Sequence, residues 1–553
     1  MWSKPDSSGG GGGRARGTDV AQTAAAGPPV LRLVPWQVRA GWLLRAHRLS
    51  HADPALRRLT GFASVYREDW QYAGGSPSCL SRWENGLVPV TASSVRRYEE
   101  VLGLLPYRLL LPIQTIARHE GGPAAAAFLR SGDGSPPAGR DRRVDLLLDR
   151  VLDGGVLSAA DWDELTRWAA YGGGQVSPSR IREAVVQRLL EETLVSGGAS
   201  WMRRFEALGR LMADPQWGPE AIAVCSGVAE QAEHAGLIEA VCALDGSPHP
   251  DAGRAVLRQL TDPTTTDSLY GALLASARKT RKHHFTPEQT RTLVDVVEGV
   301  LTSGPRAAHP GSVVEAAAVL LHQLPLSAAH AARLTGAAAD RHPVVQAIVV
   351  HGSLTDTAVA SIVVSRIIAR LGDHATAVLG GIVDDLLHHP VADVRLYAAM
   401  LLHASPYGPR VAAALAADLR QTATLRDEVR AVPMLDALRV LGGHGQRDVV
   451  ADLTLARGLP KEVVLAAVHA LGHIGGRSPE SYWRAVFHQH TGSATDAIGQ
   501  TRVLKRLVYG FAMAGELDLL TRLVEEQAQA APTQHLSGWW SGLARHVRES
   551  AQQ

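Results

Sequence analysis

The residues whose types and spacing could do chemistry lie mainly in one stretch, Gly74-Gly75-Ser76-Pro77-Ser78-Cys79-Leu80-Ser81-Arg82-Trp83-Glu84-Asn85-Gly86. Ser76 can cap a helix, and Pro77 suits its first turn. Leu80 and Trp83, three residues apart, share one face and point into a core. Ser78, Cys79, Ser81 and Arg82 occupy the other sides, and Gly86 can end the helix in a left-handed conformation. Small polar side chains near such an N-terminus let a backbone approach a duplex closely, and the fork of Arg82 fits a guanine edge or a phosphate. The candidate DNA-contacting set is therefore Ser76, Ser78, Cys79, Ser81, Arg82 and Asn85. Taken alone, the same stretch reads equally as a packed helix with one surface arginine, because short motifs recur by chance.

The longer segment LSRWENGLVPVTASSVRRYEEVLGL, residues 80–104, resembles the Cro/C1-type, or Xre-like, helix-turn-helix family. It is similar to that family's recognition helix, its acidic-then-Gly ending, its Pro-containing loop and a following helix that ends in Leu-Gly-Leu. Val95, Tyr98, Val101 and Leu102 give that following helix an apolar face. The resemblance spans roughly residues 34–112 and implies double-stranded DNA as partner. It also implies structural roles for Leu80, Trp83, Glu84 and Gly86, with Glu84 pairing an arginine of the first helix, Arg45 being the expected one. That first helix is predicted over Gln37–Leu49, with Val38, Trp42, Leu43 and Leu44 inward and Arg39, Arg45 and Arg48 outward. Arg39, Arg48, Arg67 and Arg96 are candidate phosphate contacts. One departure from the family stands out: the long segment Ser50–Cys79 separates the first helix from the recognition helix. Either helix two is Phe62–Tyr72 after an insertion, or residues 54–73 form one longer helix. How Arg57, Arg58 and Arg67 are aimed stays open on that account.

The elements that must position these residues are helical. The chain has 553 residues, 46% of them hydrophobic but only 28 aromatic, so its core must be built from small and aliphatic side chains. That favours helix packed on helix. The fold class expected is all-α, an N-terminal helix-turn-helix domain followed by an α-solenoid of helical-pair repeats. Residues 1–28 are Gly-, Ser- and Ala-rich and read as a disordered tail. Residues 29–120 form the DNA-binding unit, and 121–140 read as a linker or long loop. From Asp141 the pattern is amphipathic helix: a helical region at 141–310, then repeats with a C-terminal cap at 311–553. The β-branched runs at 347–350 and 361–368 sit in helix-length patterns and read as buried helices.

Charge is uneven. The total is +2, but residues 29–120 hold twelve Arg against seven Asp and Glu, a net of +5. The tail adds +1, which leaves −4 for the rest. A basic unit on an acidic body points to a polyanion met through the N-terminal unit.

Three segments in the C-terminal half align: VADVRLYAAMLLHA from Val391, LRDEVRAVPMLDALRVLG from Leu425 and PKEVVLAAVHALGHIG from Pro460, with Val394, Val429 and Val463 matched. A single helical pair cannot bury its own face, so such pairs stack. The segments resemble HEAT-like repeats, most closely at His389-Pro390-x-x-Asp393-Val394-Arg395, although their period is shorter. A tetratricopeptide-like array ranks second, since its Trp and Tyr positions are lacking.

Other constellations carry less. Arg278-Lys279-x-Arg281-Lys282-His283-His284 reads as an exposed basic loop, or else as a second phosphate contact. His388-His389 lacks partners at ligand spacing, so no metal is expected. Trp539-Trp540 reads as a cap to the array. Phosphate-binding loops and hydrolase signatures are missing, so no cofactor and no enzymatic activity are expected. The best catalytic alternative, a base-excision glycosylase, would use Asp161-Trp162-Asp163 near Trp168. Cys79, Cys225 and Cys242 form no CxxC pair and fit a reducing compartment. With no signal peptide and no uncharged apolar run of ~18 residues, a cytoplasmic chain with no membrane partner is expected. The leading expectation is a sequence-specific transcriptional regulator, dimeric on DNA, whose helical body binds a protein or small-molecule effector. The alternative is an interaction scaffold whose helix-turn-helix does not bind DNA.

Overall fold

A computed structural model describes residues 34–68, 75–132, 142–171, 178–303 apart from 233 and 235, 309–371, 376–491 and 506–530. These residues form helices and connecting turns, with no strand among them. The tail at 1–28 and Trp539-Trp540 lie outside the described residues.

Seven helices make up the N-terminal unit: α1 (Trp36–Leu49), α2 (Pro54–Arg57), α3 (Leu59–Arg67), α4 (Pro77–Glu84), α5 (Ala92–Val101), α6 (Leu110–Glu120) and α7 (Gly122–Gly132). The segment between α1 and α4 thus holds two helices, α2 and α3, because Arg58 takes an extended conformation between them. The segment expected as a linker is helical over its first half. In α7, Ala125 and Phe128 are buried, and Phe128 packs on Trp36 with ring centroids 5.0 Å apart. Composition alone misplaced this segment, since an Ala-rich run makes a good helix once one face is covered.

The apolar side chains form two large cores. One runs from Val144 to Leu354. The other joins the N-terminal unit, Trp36 to Phe128, with residues Val363 to Leu523. Residues Val313–Leu354, grouped from the sequence with the C-terminal repeats, pack with the preceding core. Both β-branched runs are helical, Pro343–His351 and Thr357–Ala369, but they are not buried throughout as expected: Ile348, Val363 and Ile367 point inward while Val350 and Ile362 are exposed, because only one face of each helix is covered.

Helical pairs stack over the C-terminal half. Helix Ala392–Ala404 packs on Glu428–Leu441, which packs on Lys461–His473. Val394 and Val463 are fully buried, but the matched Val429 is 38% exposed. Ala431, two residues on, takes the inward position. Pro433 lies inside that helix and has no N–H for the Val429 carbonyl.

The N-terminal unit is held to both cores by buried polar contacts. Arg39 of α1 donates to Asp385 Oδ2 at 2.7 Å. His47 and Arg108 donate to the last carbonyls of helix Ala392–Ala404: His47 Nε2 to Ala404 at 2.7 Å, Arg108 Nη2 to His403 at 2.8 Å. The Arg108 cation complements the helix C-terminus, while burial lowers the His47 pKa and keeps that donor a neutral imidazole. On the other side His119 meets Arg281 at 2.8 Å, and Arg278 donates to Asp393 at 2.7 Å. The run at 278–284 is therefore no free basic loop. Lys279 is fully buried, its ammonium donating to the Ser247 carbonyl at 2.6 Å, and Arg278 and Arg281 belong to the junction with the N-terminal unit.

His389 is buried as well. Its Nδ1 accepts from the Val391 N–H at 3.1 Å, a turn that His51, His234 and His249 repeat with the residue two ahead. Adjacent His388 faces Asp384 instead, at 2.9 Å.

Two outcomes follow from these contacts. Asp385→Ala strands the Arg39 guanidinium and should cost ~3–5 kcal/mol in urea unfolding. Burial, aided by Arg395, pushes the His389 imidazole down to about 3. The unfolded chain then binds the extra proton between pH ~6.5 and ~3, so stability falls as pH drops through that window. His389→Asn keeps an acceptor for Val391 but does not titrate. It should flatten the stability–pH slope measured between pH 6.5 and 4.5 by up to ~1.4 kcal/mol per pH unit.

Candidate nucleic-acid interface

The eight-residue helix α4 forms as its local signals require. Ser76 Oγ accepts from the Cys79 N–H at 3.2 Å, Pro77 opens the first turn, and Gly86 ends the helix at φ +66°. Leu80 is fully buried and Trp83 nearly so. Their core is aromatic: Tyr98 lies 4.8 Å from Phe62 and 5.5 Å from Tyr66, and Tyr66 lies 6.2 Å from Trp83, between ring centroids. α1 crosses α4 so closely that a Cβ at Gly41 would stand 2.3 Å from the Trp83 carbonyl oxygen, so only glycine fits there.

Glu84 is clamped, but not by Arg45. Arg48 forks onto it, Nε to Oε1 and Nη2 to Oε2, both at 2.6 Å. The Tyr98 hydroxyl adds a third bond at 3.2 Å. Arg48 also donates to the Arg57 carbonyl, closing the end of α2. α1 touches α4 at Gly41, and of the two arginines one turn apart on α1 it is Arg48 that reaches Glu84. Arg45 stays exposed and reaches Asn85 Oδ1 at 3.4 Å. Burial pushes the Tyr98 hydroxyl well above its usual range, with the Glu84 charge adding to it.

The structure sorts the expected contact residues into three groups. Ser76, Ser78, Arg82 and Asn85 are exposed, with Cys79 and Ser81 half-buried beside them. Asn85 is partly committed, its Nδ2 donating to the Ser81 carbonyl at 2.7 Å. The Arg82 side chain makes no hydrogen bond among the described residues, while its carbonyl accepts from the Leu87 N–H at 2.9 Å. Of the four expected phosphate contacts, Arg67 is exposed near α4. Arg39 and Arg48 are 2% and 5% exposed, inside ion pairs, and cannot reach a phosphate. Arg96 turns to a cleft against helices Ala159–Tyr171 and Gly198–Ala213, away from the α4 face.

Arg57 and Arg58, whose aim the sequence left open, are exposed, and Arg57 Nε donates to the His51 carbonyl at 2.6 Å. One feature escaped the sequence reading. Arg97 closes the C-terminus of α3, its guanidinium donating to the carbonyls of Tyr66 at 3.1 Å, Val65 at 3.2 Å and Glu68 at 2.5 Å. A basic residue on the next helix but one gives no local signal for that role. The alternative catalytic cluster is tied up in structure. Trp162 Nε1 donates to Glu192 at 2.6 Å, Asp161 accepts from Arg143 at 3.1 Å, and Asp163 is ringed by arginines. Among the described residues no group of three His, Cys, Asp or Glu is placed to hold a metal ion. No described helix is long and apolar enough to cross a membrane.

Glu84→Ala leaves Arg48 buried without its carboxylate and should cost ~3–5 kcal/mol in denaturant unfolding. Arg45→Ala, at the position the family resemblance favoured, should stay within ~0.5 kcal/mol of the parent.

No family model matches the chain, and no curated protein matches it. Among solved structures, the crystal structure of an engineered protein from a structural genomics consortium aligns at 15% identity, covering 74% of this chain and 98% of that one, with a TM-score of 0.20. That level of likeness carries no argument about fold or function.

Proposed function

We propose that the protein is a sequence-specific DNA-binding regulator. In this reading α3 and α4 form a helix-turn-helix, α4 is the recognition helix, and the stacked helical pairs of the body form a HEAT-like solenoid. The body would dock the reader and take a protein or small-molecule effector, and two copies would bind paired half-sites. The observation that carries the reading is the two-sidedness of α4. Leu80, Trp83 and Glu84 are consumed by the core, while Ser78, Arg82 and Asn85 stand outward, with exposed Arg45 reaching Asn85 and exposed Arg67 beside Gly75. Small polar groups flanked by guanidiniums match what a groove and its phosphates ask for.

The test is binding of genomic fragments across a salt series, with the full chain. A preferred fragment should emerge, with log affinity falling linearly in log salt. Arg82→Ala should weaken that fragment by ~1–3 kcal/mol and relax its sequence preference. Arg58→Ala and Arg67→Ala should weaken all fragments alike and reduce the salt slope by about one each. Binding with neither fragment preference nor salt slope would overturn the reading and leave a scaffold with a helix-turn-helix that has no DNA role.

A further inference from the structure

A narrow cleft, part of it open to solvent, lies between the N-terminal unit and the body. α5 and α6 supply Arg96 and Arg118 to one wall, and helices Ala159–Tyr171 and Gly198–Ala213 supply Arg167, Arg203 and Arg210 to the other. Two carboxylates face them, Asp163 and Glu206. Asp163 sits amid three guanidiniums: Arg167 Nη2 at 2.5 Å and Arg203 Nη2 at 3.3 Å from Oδ2, and Arg210 Nη2 at 3.0 Å from Oδ1. Glu206 is paired with Arg118. Glu99, beside α5, spends its oxygens on the N–H groups of Tyr107, Leu109 and Leu110 and does not line the cleft. Among the described residues, the lining holds five guanidiniums and two carboxylates.

Further details show a built site rather than a crowd of surface arginines. Arg203 lies flat over the Tyr107 ring, 4.1 Å from its centroid, and Arg167 donates to the Tyr107 hydroxyl at 3.3 Å. Arg203 Nε is buried with no hydrogen-bond partner among the described residues. Burial pushes the Asp163 carboxyl up, but Arg210, Arg167 and Arg203 outweigh it and hold the group below its usual range. One carboxylate cannot neutralise three guanidiniums, and repulsion among them is stronger in a half-buried cleft than in water. Guanidinium forks match phosphoryl oxygens in geometry and charge. Leu111, Leu129 and Gln114 complete the lining with apolar surface and an amide for an organic moiety.

We propose that this cleft binds a small phosphorylated anion carrying two or more negative charges, and that the bound anion clamps the N-terminal unit onto the body. Since the walls come from both parts, such a ligand stabilises only their docked arrangement. The inference does not depend on DNA binding by α4.

The experiment is calorimetric titration of the full chain, without DNA, using inorganic phosphate, pyrophosphate and adenosine triphosphate as probes at matched ionic strength. Pyrophosphate or the nucleotide should bind saturably and more tightly than inorganic phosphate, and should raise the melting temperature. A preference for the nucleotide over pyrophosphate would assign the organic moiety to the Leu111–Leu129 wall. Arg96→Gln and Arg203→Gln should each weaken binding by about tenfold or more, while Arg45→Gln, outside the cleft, should not. Should Arg203→Gln fail to fold, the half-exposed Arg96→Gln decides. No saturable binding of any probe, or equal affinity in the cleft variants, would overturn the proposal. So would displacement of the nucleotide by duplex DNA in the parent, since the cleft would then be a DNA-phosphate contact.

Discussion

Two guanidiniums on α1 organise the N-terminal unit of this protein. Arg39 and Arg48 are nine residues apart, which at about 100° per residue places them on opposite faces of the helix. Arg39 is buried against Asp385 of the C-terminal half, and Arg48 is buried against Glu84 at the end of α4. A single helix is thus fastened on one side to the body and on the other to the segment that presents Ser78 and Arg82. The pose of α4 relative to the body passes through α1.

Neither pair should be read as a large source of stability. Burial pushes the Asp385 carboxyl up to about 6 against the pull of Arg39, which means that charging it in place is costly. Buried ion pairs of this kind often return less than apolar side chains of equal volume would, yet they penalise every arrangement that leaves one partner alone. Here the effect is to select one docking. The fork of Arg48 on Glu84 works in the same way, with Tyr98 filling the remaining lone pair. The apolar contribution comes from the shared core, in which Trp42 packs near Tyr407 and Trp36 on Phe128. The N-terminal unit lacks a core wholly its own, and this ties any event on α4 to the state of the body.

Much of the helical fold was legible. Ser76, Pro77 and Gly86 act within a few residues of themselves, and the structure follows them at α4. Leu80 and Trp83 fell on the inward face because a period of 3.6 residues needs no knowledge of the partner. The alignment of Val429 with Val394 and Val463 failed because a matched residue type does not state which face the neighbouring helix covers: Ala431, two residues on, takes the buried position. Similarly, residues 122–132 looked like linker because Gly and Pro flank an Ala run, and only Trp36 reveals which face of that run is covered.

The sequence by itself determined the helical class, the extent of α4, its capping and its inward side chains, because each is decided by backbone geometry and solvent within a turn or two. It also marked the N-terminal unit as basic. It could not decide which arginines face solvent. A helical period states the angle between Arg39, Arg45 and Arg48 but not what stands opposite each. Arg39 is separated from Asp385 by 346 residues, and Arg48 from Glu84 by 36. A guanidinium can be buried only where a distant carboxylate arrives to meet it, and that meeting exists only in the tertiary structure. The same holds for Arg96, which the tertiary structure turns away from α4 and toward Arg203 and Asp163.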